Sequence, residues 1–237
     1  MTLWVRSCCN VSLSLSIVLP AYNEAANIEK SILACLGCLQ DRVGEIIIVD
    51  DGSTDNTAEI VNRVGTDDSR VRLISHSMNK GYGAALKTGF FHAKMEYLFF
   101  TDSDLQFNMA ELEEFLPFVH EYDIVVGFRE NRADPLIRKI NALGWRVVNR
   151  LLFNIRLRDL NCAFKLFRRS IVNDMQIRST GACVNAEIIA RAMRKDYSIK
   201  EIPVTHYNRP FGQQTGANPK VILNAFYELG QVYLDMR

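Results

Sequence analysis

The chain has 237 residues, 48% of them hydrophobic and 23% charged, and a formal net charge of only +1. That length suits one domain with a sizeable core, spanning residues 1–237 without a linker, and the composition excludes a disordered or fibrous chain. With so little net charge, an anionic partner has to be met by a local patch, and nucleic acid is not expected among the partners.

Six cysteines, at 8, 9, 35, 38, 162 and 183, show no metal-ligand spacing. They are expected to be buried, reduced thiols in a cytosolic setting. Cys35 and Cys38 form a C-x-x-C inside an apolar helical pattern, whereas a thioredoxin-type redox pair should open a helix directly after a strand. No apolar run approaches the ~18 residues of a membrane span. Met1 to Cys9 lacks the apolar core and cleavage site of a signal peptide, so no leader is expected.

In chain order, Leu13 to Pro20 alternates and then turns apolar, which predicts a first strand stopped by Pro20. The loop Ala21-Tyr22-Asn23-Glu24 follows, and Ile28, Ile32, Cys35, Leu36 and Leu39 then recur at helical spacing. Glu45 to Asp51 is a nearly continuous β-branched run, suited to a parallel strand covered on both faces, and it ends in two acids. Gly52-Ser53-Thr54-Asp55 makes the turn into a helix reaching about Val64. Val71 to Ser75 is a third strand, and Asn79-Lys80-Gly81-Tyr82-Gly83 opens a helix to about Met95. Tyr97 to Thr101 is a fourth, aromatic strand that ends in Asp102-Ser103-Asp104-Leu105-Gln106.

Glu111 to Tyr122 reads as helical, and Asp123 to Arg129 as a buried strand with an arginine at its end. From Pro135 to Arg158 there is no acidic residue, while Arg138, Lys139, Arg146, Arg150, Arg156 and Arg158 supply six cations. Ile137, Ile140, Leu143, Val147 and Leu151 form one helical stripe there. Such a basic amphipathic helix suits an anionic membrane surface; it equally suits a helix packed on the core with arginines as its wet face. Asp159 to Phe167 is a turn and a strand, Gly181 to Arg194 leads into and forms a helix, and Ile199 to Val204 is the last strand. A polar loop, Asn208 to Asn218, precedes a final helix from Pro219 to about Leu234, with Val221, Ile222, Phe226, Leu229 and Tyr233 on one face.

Alternation of strand and helix predicts a doubly wound α/β sheet, and right-handed crossovers place the loops carrying Tyr22, Asn23, Glu24, Asp51, Gly81 and Asp102 on one edge. Ligands of such sheets bind outside the carboxyl ends of the strands. An Asp-x-Asp pair alone also fits a solvated turn, since aspartates bond their own backbone there. With a second pair of acids, Arg129 at a third strand end and Arg209 on a loop, the edge suits an anionic ligand held through a hard cation. The chain has no Gly-x-x-x-x-Gly-Lys-Ser/Thr, and Gly81-Tyr82-Gly83 lacks the full Gly-x-Gly-x-x-Gly spacing. What remains is a nucleotide diphosphate whose charge a metal neutralises as it leaves.

Pro20-Ala21-Tyr22-Asn23-Glu24, Val49-Asp50-Asp51-Gly52-Ser53-Thr54-Asp55, Asn79-Lys80-Gly81-Tyr82-Gly83 and Asp102-Ser103-Asp104-Leu105-Gln106, in this order, resemble the motifs of family-2 glycosyltransferases of the GT-A fold, a Rossmann-like, mostly parallel sheet with helices on both faces. The resemblance is strongest to dolichol-phosphate mannosyltransferases and bacterial polyprenyl-phosphate glycosyltransferases, and it covers about residues 15 to 216. It implies that Pro20, Tyr22, Glu24, Val49 and Asp51 surround base and ribose. Asp102 and Ser103 would line the nucleotide sugar, with Asp104 and Gln106 holding Mg2+ or Mn2+. Arg129 and Arg209 would meet phosphate, although the lysine often found six residues after the loop arginine is Thr215 here. Asp102, Asp104 and Arg209 carry the catalytic assignment, and Arg138 the acceptor phosphate.

The expected reaction is an inverting, metal-dependent transfer of a sugar, mannose by resemblance, to a polyprenyl phosphate. The expected location is the cytoplasm, peripheral at a membrane's cytoplasmic face, with a membrane-protein partner supplying an anchor. A phosphate acceptor needs no general base. Two alternatives stand beside this reading: transfer to a saccharide hydroxyl, for which Glu187 in Asn185-Ala186-Glu187 is the candidate base, and a non-catalytic nucleotide-sugar-binding module.

Overall fold

The structure is a computed structural model that describes residues 13–40, 42–130, 136–212 and 219–237, without the side chains of 136–142 and 219–220. Its strands are β1 (Leu15–Ala21), β2 (Gly44–Asp50), β3 (Val71–Ser75), β4 (Tyr97–Thr101), β5 (Ile124–Arg129), β6 (Phe164–Arg168) and β7 (Ile199–Val204). The helices are α1 (Ile28–Leu39), α2 (Thr57–Asp67), α3 (Tyr82–His92), α4 (Leu136–Phe153), α5 (Arg169–Asp174), α6 (Val184–Arg194) and α7 (Pro219–Asp235).

The seven strands form one sheet in the order β3-β2-β1-β4-β6-β5-β7. Every pairing is parallel except those of β6, which runs antiparallel to both β4 and β5. This is the mostly parallel α/β sheet that the alternation of elements predicts. The apolar runs are continuous because each strand feeds two cores. Ile17, Leu19, Ile46, Ile48 and Phe99 pack beneath α1 and α2. Val18, Ile47, Val49, Leu98 and Phe100 face the opposite layer, which contains α3 and α6 residues. Successive side chains of a strand point to opposite faces, so neither face admits a polar residue in mid-strand without a partner.

Two sequence expectations change in detail. The helix read over Glu111 to Tyr122 is instead a pair of 3-10 turns, Met109–Glu114 and Leu116–Phe118. Pro117 lies inside this segment, and a proline there removes a helical donor and disfavours helical backbone at the residue before it. The short helix α5 follows β6 directly and has no counterpart in the sequence reading.

For α4 the sequence left two orientations of the apolar stripe open. Its inward face is Trp145, Val148, Asn149 and Leu152, with the Trp145 ring 5.2 Å from that of Phe226 and Phe153 5.9 Å from Tyr233, both on α7. Leu143, Val147 and Leu151 of the predicted stripe are exposed, as are Arg146 and Arg150. This part of the stripe faces away from the core, and the side chains of Ile137 and Ile140 lie outside the described residues. Exposed Leu223, Tyr227 and Leu234 on α7 give that helix an apolar outer surface as well. Among the described residues no helix is long and apolar enough to cross a membrane.

Cys35, Cys38, Cys162 and Cys183 are buried free thiols. Burial pushes Cys38 up to about 11 and Cys162 up to about 12, so neither supplies thiolate at neutral pH. Cys8 and Cys9 lie outside the described residues.

Candidate active site

The strand order reverses between β1 and β4: β2 and β3 build outward on one side of β1, and the chain then returns to place β4 on the other. A crevice opens at such a reversal, outside the carboxyl ends of the strands. Pro20, Tyr22 and Glu24 lie at the end of β1, Asp50 and Asp51 at the end of β2, and Asp102 to Gln106 at the end of β4.

The β2 acids are held by fixed donors. Asp50 Oδ1 accepts the Ser53 N–H at 3.0 Å and turns the chain. Asp51 Oδ1 accepts from His76 Nδ1 at 2.6 Å and from the Lys80 N–H at 2.9 Å, while Oδ2 accepts the Gly81 N–H at 2.8 Å. Opposite a carboxylate Nδ1 is the protonated nitrogen, and Nε2 meets Thr88 Oγ1 at 2.9 Å. A carboxylate offers about four lone-pair positions, so Asp51 retains one. The Gly81 turn that supplies this donor has a φ of +101°, and a Cβ there would come 2.5 Å from the Thr180 carbonyl oxygen. Only glycine fits.

Glu24, at the N-terminal side of α1, accepts from Asn27 Nδ2 at 2.7 Å and from Arg209 Nη2 at 2.5 Å. Arg209 reaches across from the loop after β7, donates through Nε to the Phe211 carbonyl at 2.6 Å, and sets Nη1 3.7 Å from Asp104 Oδ2. One guanidinium thus faces two acids from different strand ends. Tyr22 is largely exposed beside them, and Val49 is fully buried with its side chain in the core, so the structure does not bring that side chain to the crevice.

At the end of β4, Ser103 Oγ donates to the Pro20 carbonyl at 2.9 Å and its own carbonyl accepts from Ser31 Oγ at 2.8 Å, which ties the loop to β1 and α1. Asp102 accepts the Tyr82 hydroxyl at 2.9 Å. Among the described residues Asp104 is met by the Gln106 N–H, at 3.2 Å, and by the more distant Arg209. Burial and the adjacent Asp102 charge push the Asp104 carboxyl up to about 7, and burial raises Asp102 too, against the Tyr82 hydrogen bond. Leu105 between them has a φ of +62°, which a leucine adopts only when its surroundings impose it. Gln106 donates Nε2 to the Tyr207 carbonyl at 2.9 Å, leaving Oε1 as its free acceptor.

Among the described residues no group of three or more His, Cys, Asp or Glu could enclose a metal. The β4 end fits a cation of another kind. Burial raises both carboxylates, the Asp102 charge raises Asp104 further, and an amide oxygen stands by, which suits a hard ion that completes its shell with substrate phosphates.

Other predicted residues sit differently. Arg129 is engaged with Asp159 through Nε at 2.6 Å and Nη2 at 2.9 Å. Glu187 is fully buried, accepts the Arg178 and Ser179 N–H groups at 2.9 and 2.7 Å, and pairs with Arg191 at 2.7 Å. With both oxygens so committed it is a structural anchor. The side chain of Arg138, and Thr215, lie outside the described residues. Sequence reasoning passed over His76, which no motif marks, and Lys165, whose signal was a lone cation in the apolar run Phe164-Lys165-Leu166-Phe167.

The sequence profile described as "Glycosyl transferase family 2" matches residues 16–176. The dolichyl-phosphate beta-glucosyltransferase of Saccharomyces cerevisiae is 28% identical over 221 residues, covering 81% of this chain and 66% of that protein. The undecaprenyl-phosphate 4-deoxy-4-formamido-L-arabinose transferase of Salmonella paratyphi A is 31% identical over 228 residues, covering 91% and 66%. This chain therefore spans about two thirds of the length of either relative. The glucosyl-3-phosphoglycerate synthase of Mycobacterium tuberculosis, crystallised with UDP, superposes with a TM-score of 0.74 at 19% identity, over 93% of this chain and 80% of that one. Other crystals of the same synthase hold Mg2+ or Mn2+ together with UDP.

Proposed function

This chain belongs to glycosyl transferase family 2, and from that premise we propose that it moves a sugar from a nucleoside diphosphate sugar to a polyprenyl phosphate. The observation that carries the reading is the meeting, at one strand-order reversal, of an Asp51 held by three donors with the buried acids Asp102 and Asp104 and the bridging Arg209. The first suits recognition of a base, and the second suits a diphosphate.

A divalent cation held by Asp104 and Gln106, beside Asp102, would neutralise the departing diphosphate as a Lewis acid. The chain's own groups do the rest. Arg209 is positioned to leave its pairing with Glu24 and meet phosphate oxygens with a planar, permanently charged fork. Asp102, fixed by Tyr82, lines the sugar. An oxygen of the acceptor phosphate attacks the anomeric carbon, and the bond from that carbon to the diphosphate oxygen breaks, so that the nucleoside diphosphate leaves and the anomeric configuration inverts. The acceptor is already ionised near pH 7 and needs no base. That agrees with the structure, in which Glu187, the candidate base for a saccharide hydroxyl, is occupied.

The base is read as uracil. Asp51 has one lone-pair position left, which matches the single imide N–H of uracil; guanine presents two adjacent donors and is best met by both oxygens of a carboxylate. The named relatives move glucose and a formamido-arabinose, so mannose rests on motif resemblance alone. The outer faces of α4 and α7, with exposed Leu143, Val147, Leu223 and Tyr227 beside Arg146 and Arg150, support docking on an anionic membrane surface.

The test is incubation with Mn2+, a short polyprenyl phosphate and radiolabelled UDP-glucose, UDP-N-acetylglucosamine or GDP-mannose separately, followed by organic extraction. Label in the organic phase from a UDP sugar supports the whole reading. Label from GDP-mannose alone refutes the base assignment, donor consumption without extractable label refutes the acceptor, and no consumption brings forward a binding module.

A further inference from the structure

His76 leaves the sheet beside Asp51. β3 pairs with β2 in a register that sets Ser75 opposite Asp50, and the His76 N–H extends the ladder by one bond, to the Asp50 carbonyl at 2.9 Å. The imidazole and the Asp51 carboxylate are therefore neighbours by topology. Their side chains are only 6% and 5% exposed, so each depends on protein partners for its hydrogen bonds. The imidazole is held at both ends: Nδ1 meets Asp51 Oδ1 at 2.6 Å, and Nε2 meets Thr88 Oγ1, on α3, at 2.9 Å. A carboxylate only accepts, so in the neutral ring Nδ1 carries the hydrogen and the Thr88 hydroxyl donates to Nε2.

The number of acceptor positions left on Asp51 turns on this contact. Oδ1 takes the His76 and Lys80 donors, and Oδ2 takes the Gly81 N–H. The Lys80 and Gly81 donors belong to the backbone of the turn, and the imidazole is the one side chain of the three. Without it, Oδ1 and Oδ2 would each keep a lone-pair position, which is what the two adjacent donors of guanine require. With it, Oδ2 alone keeps one, which suits a single imide N–H. We infer that His76 is a positioning residue that sets the base preference of the site, occupying Oδ1 so that Asp51 meets the one N–H of uracil rather than the paired donors of guanine. The inference rests on the proposed function, because it takes Asp51 to meet the base.

The test is the ratio of UDP to GDP affinity, each measured by calorimetry with Mn2+ on the full chain. The parent is expected to prefer UDP. H76F, which keeps a ring and loses the donor, should lower that ratio about tenfold or more, because the discrimination comes from how many hydrogen bonds the carboxylate can still accept. H76N sets an amide N–H near the place of Nδ1 and should keep the ratio within about threefold of the parent. H76Q carries its amide further, towards Thr88, and should behave like H76F. A purely structural role would weaken UDP and GDP together and leave the ratio unmoved. That outcome in H76F overturns the inference, as does an H76N ratio no better than that of H76F. Should H76F fail to fold, as judged by thermal unfolding, the comparison of H76N with H76Q carries the test, and equal ratios overturn the inference. A parent that prefers UDP, with variants that keep the preference, leaves the functional reading standing and removes His76 from it. A parent that prefers GDP, or binds neither nucleotide, overturns the base assignment, and the inference with it.

Discussion

At the sheet edge the functional groups are few, polar and fixed by the backbone, whereas on the outer face of α4 and α7 they are many, apolar and held by nothing beyond their own helices. Asp51 alone engages two backbone N–H groups and an imidazole. Leu143, Leu151, Leu223 and Tyr227 are more than half exposed. The first arrangement recognises one ligand at one geometry, since the donors cannot move without breaking the turn that carries them. The second tolerates any apolar, anionic surface. Under the proposed function the difference separates two tasks, holding the donor and reaching the acceptor, and it predicts that changes in the two regions fail in different ways.

The largest effect is expected from Asp104→Ala. Removing the carboxylate with the clearest electrostatic strain should lower turnover by about 10² to 10³, the scale of losing one group that stabilises developing charge. Thermal stability should stay level or rise, because a buried charge facing Asp102 disappears. Turnover that survives on every acceptor would break the contrast at its stronger end. The same carboxyl gives a pH signature. Its pKa of about 7 in the fold exceeds that of an ordinary aspartate, so the folded state holds the extra proton between about pH 4 and 7. The metal-free protein should therefore lose stability as pH rises through that window. Mn2+ should flatten the slope, and Asp104→Asn should remove this contribution, both measurable by thermal unfolding at a series of pH values.

Asp51→Asn comes next, and its failure should have another form. The amide presents two hydrogens where the carboxylate accepted three bonds, so at least one of the Lys80, Gly81 and His76 donors is left buried without a partner. Such a loss costs about 1–3 kcal/mol. Denaturant midpoint and UDP affinity should fall together, unlike Asp104→Ala, where turnover falls and stability does not. An unchanged midpoint with normal UDP binding would show that the Asp51 turn does not build the base pocket.

How much of this was legible in the sequence follows the same division. The strands could be read because a parallel strand covered on both faces is a contiguous apolar run, and the bounds of β3 and β4 emerge as expected from Val71 to Ser75 and Tyr97 to Thr101. The acids at the strand ends were legible because topology alone brings them to one edge. Side-chain partners were not. Nothing in the sequence joins His76 to Asp51 or Lys165 to Asn185, pairs separated by 25 and 20 residues. For α4 the period of the apolar stripe was legible and its direction was left open. Helical spacing shows that Leu143, Val147 and Leu151 share a side, and only the packing of Trp145 against Phe226 shows which side faces the core.

The smallest expected effect would sharpen the contrast most, because it should be invisible in any soluble assay. Exposed side chains away from packed contacts contribute within about 0.5 kcal/mol to stability, so the triple replacement of Leu143, Val147 and Leu151 by serine should leave thermal unfolding unchanged. Turnover of a short, water-soluble polyprenyl phosphate should also be unchanged. Sedimentation with anionic phospholipid vesicles should drop about tenfold or more, since each leucine or valine withdrawn from the interface forgoes about 1 kcal/mol or more of apolar burial. Arg146→Ala with Arg150→Ala should weaken the same binding by about 1 kcal/mol per cation, and high salt should mask that loss while leaving the serine loss intact. Vesicle binding unaffected by either set would assign the outer face of α4 and α7 to a protein surface and leave the sheet edge as the only ligand-binding region of the two.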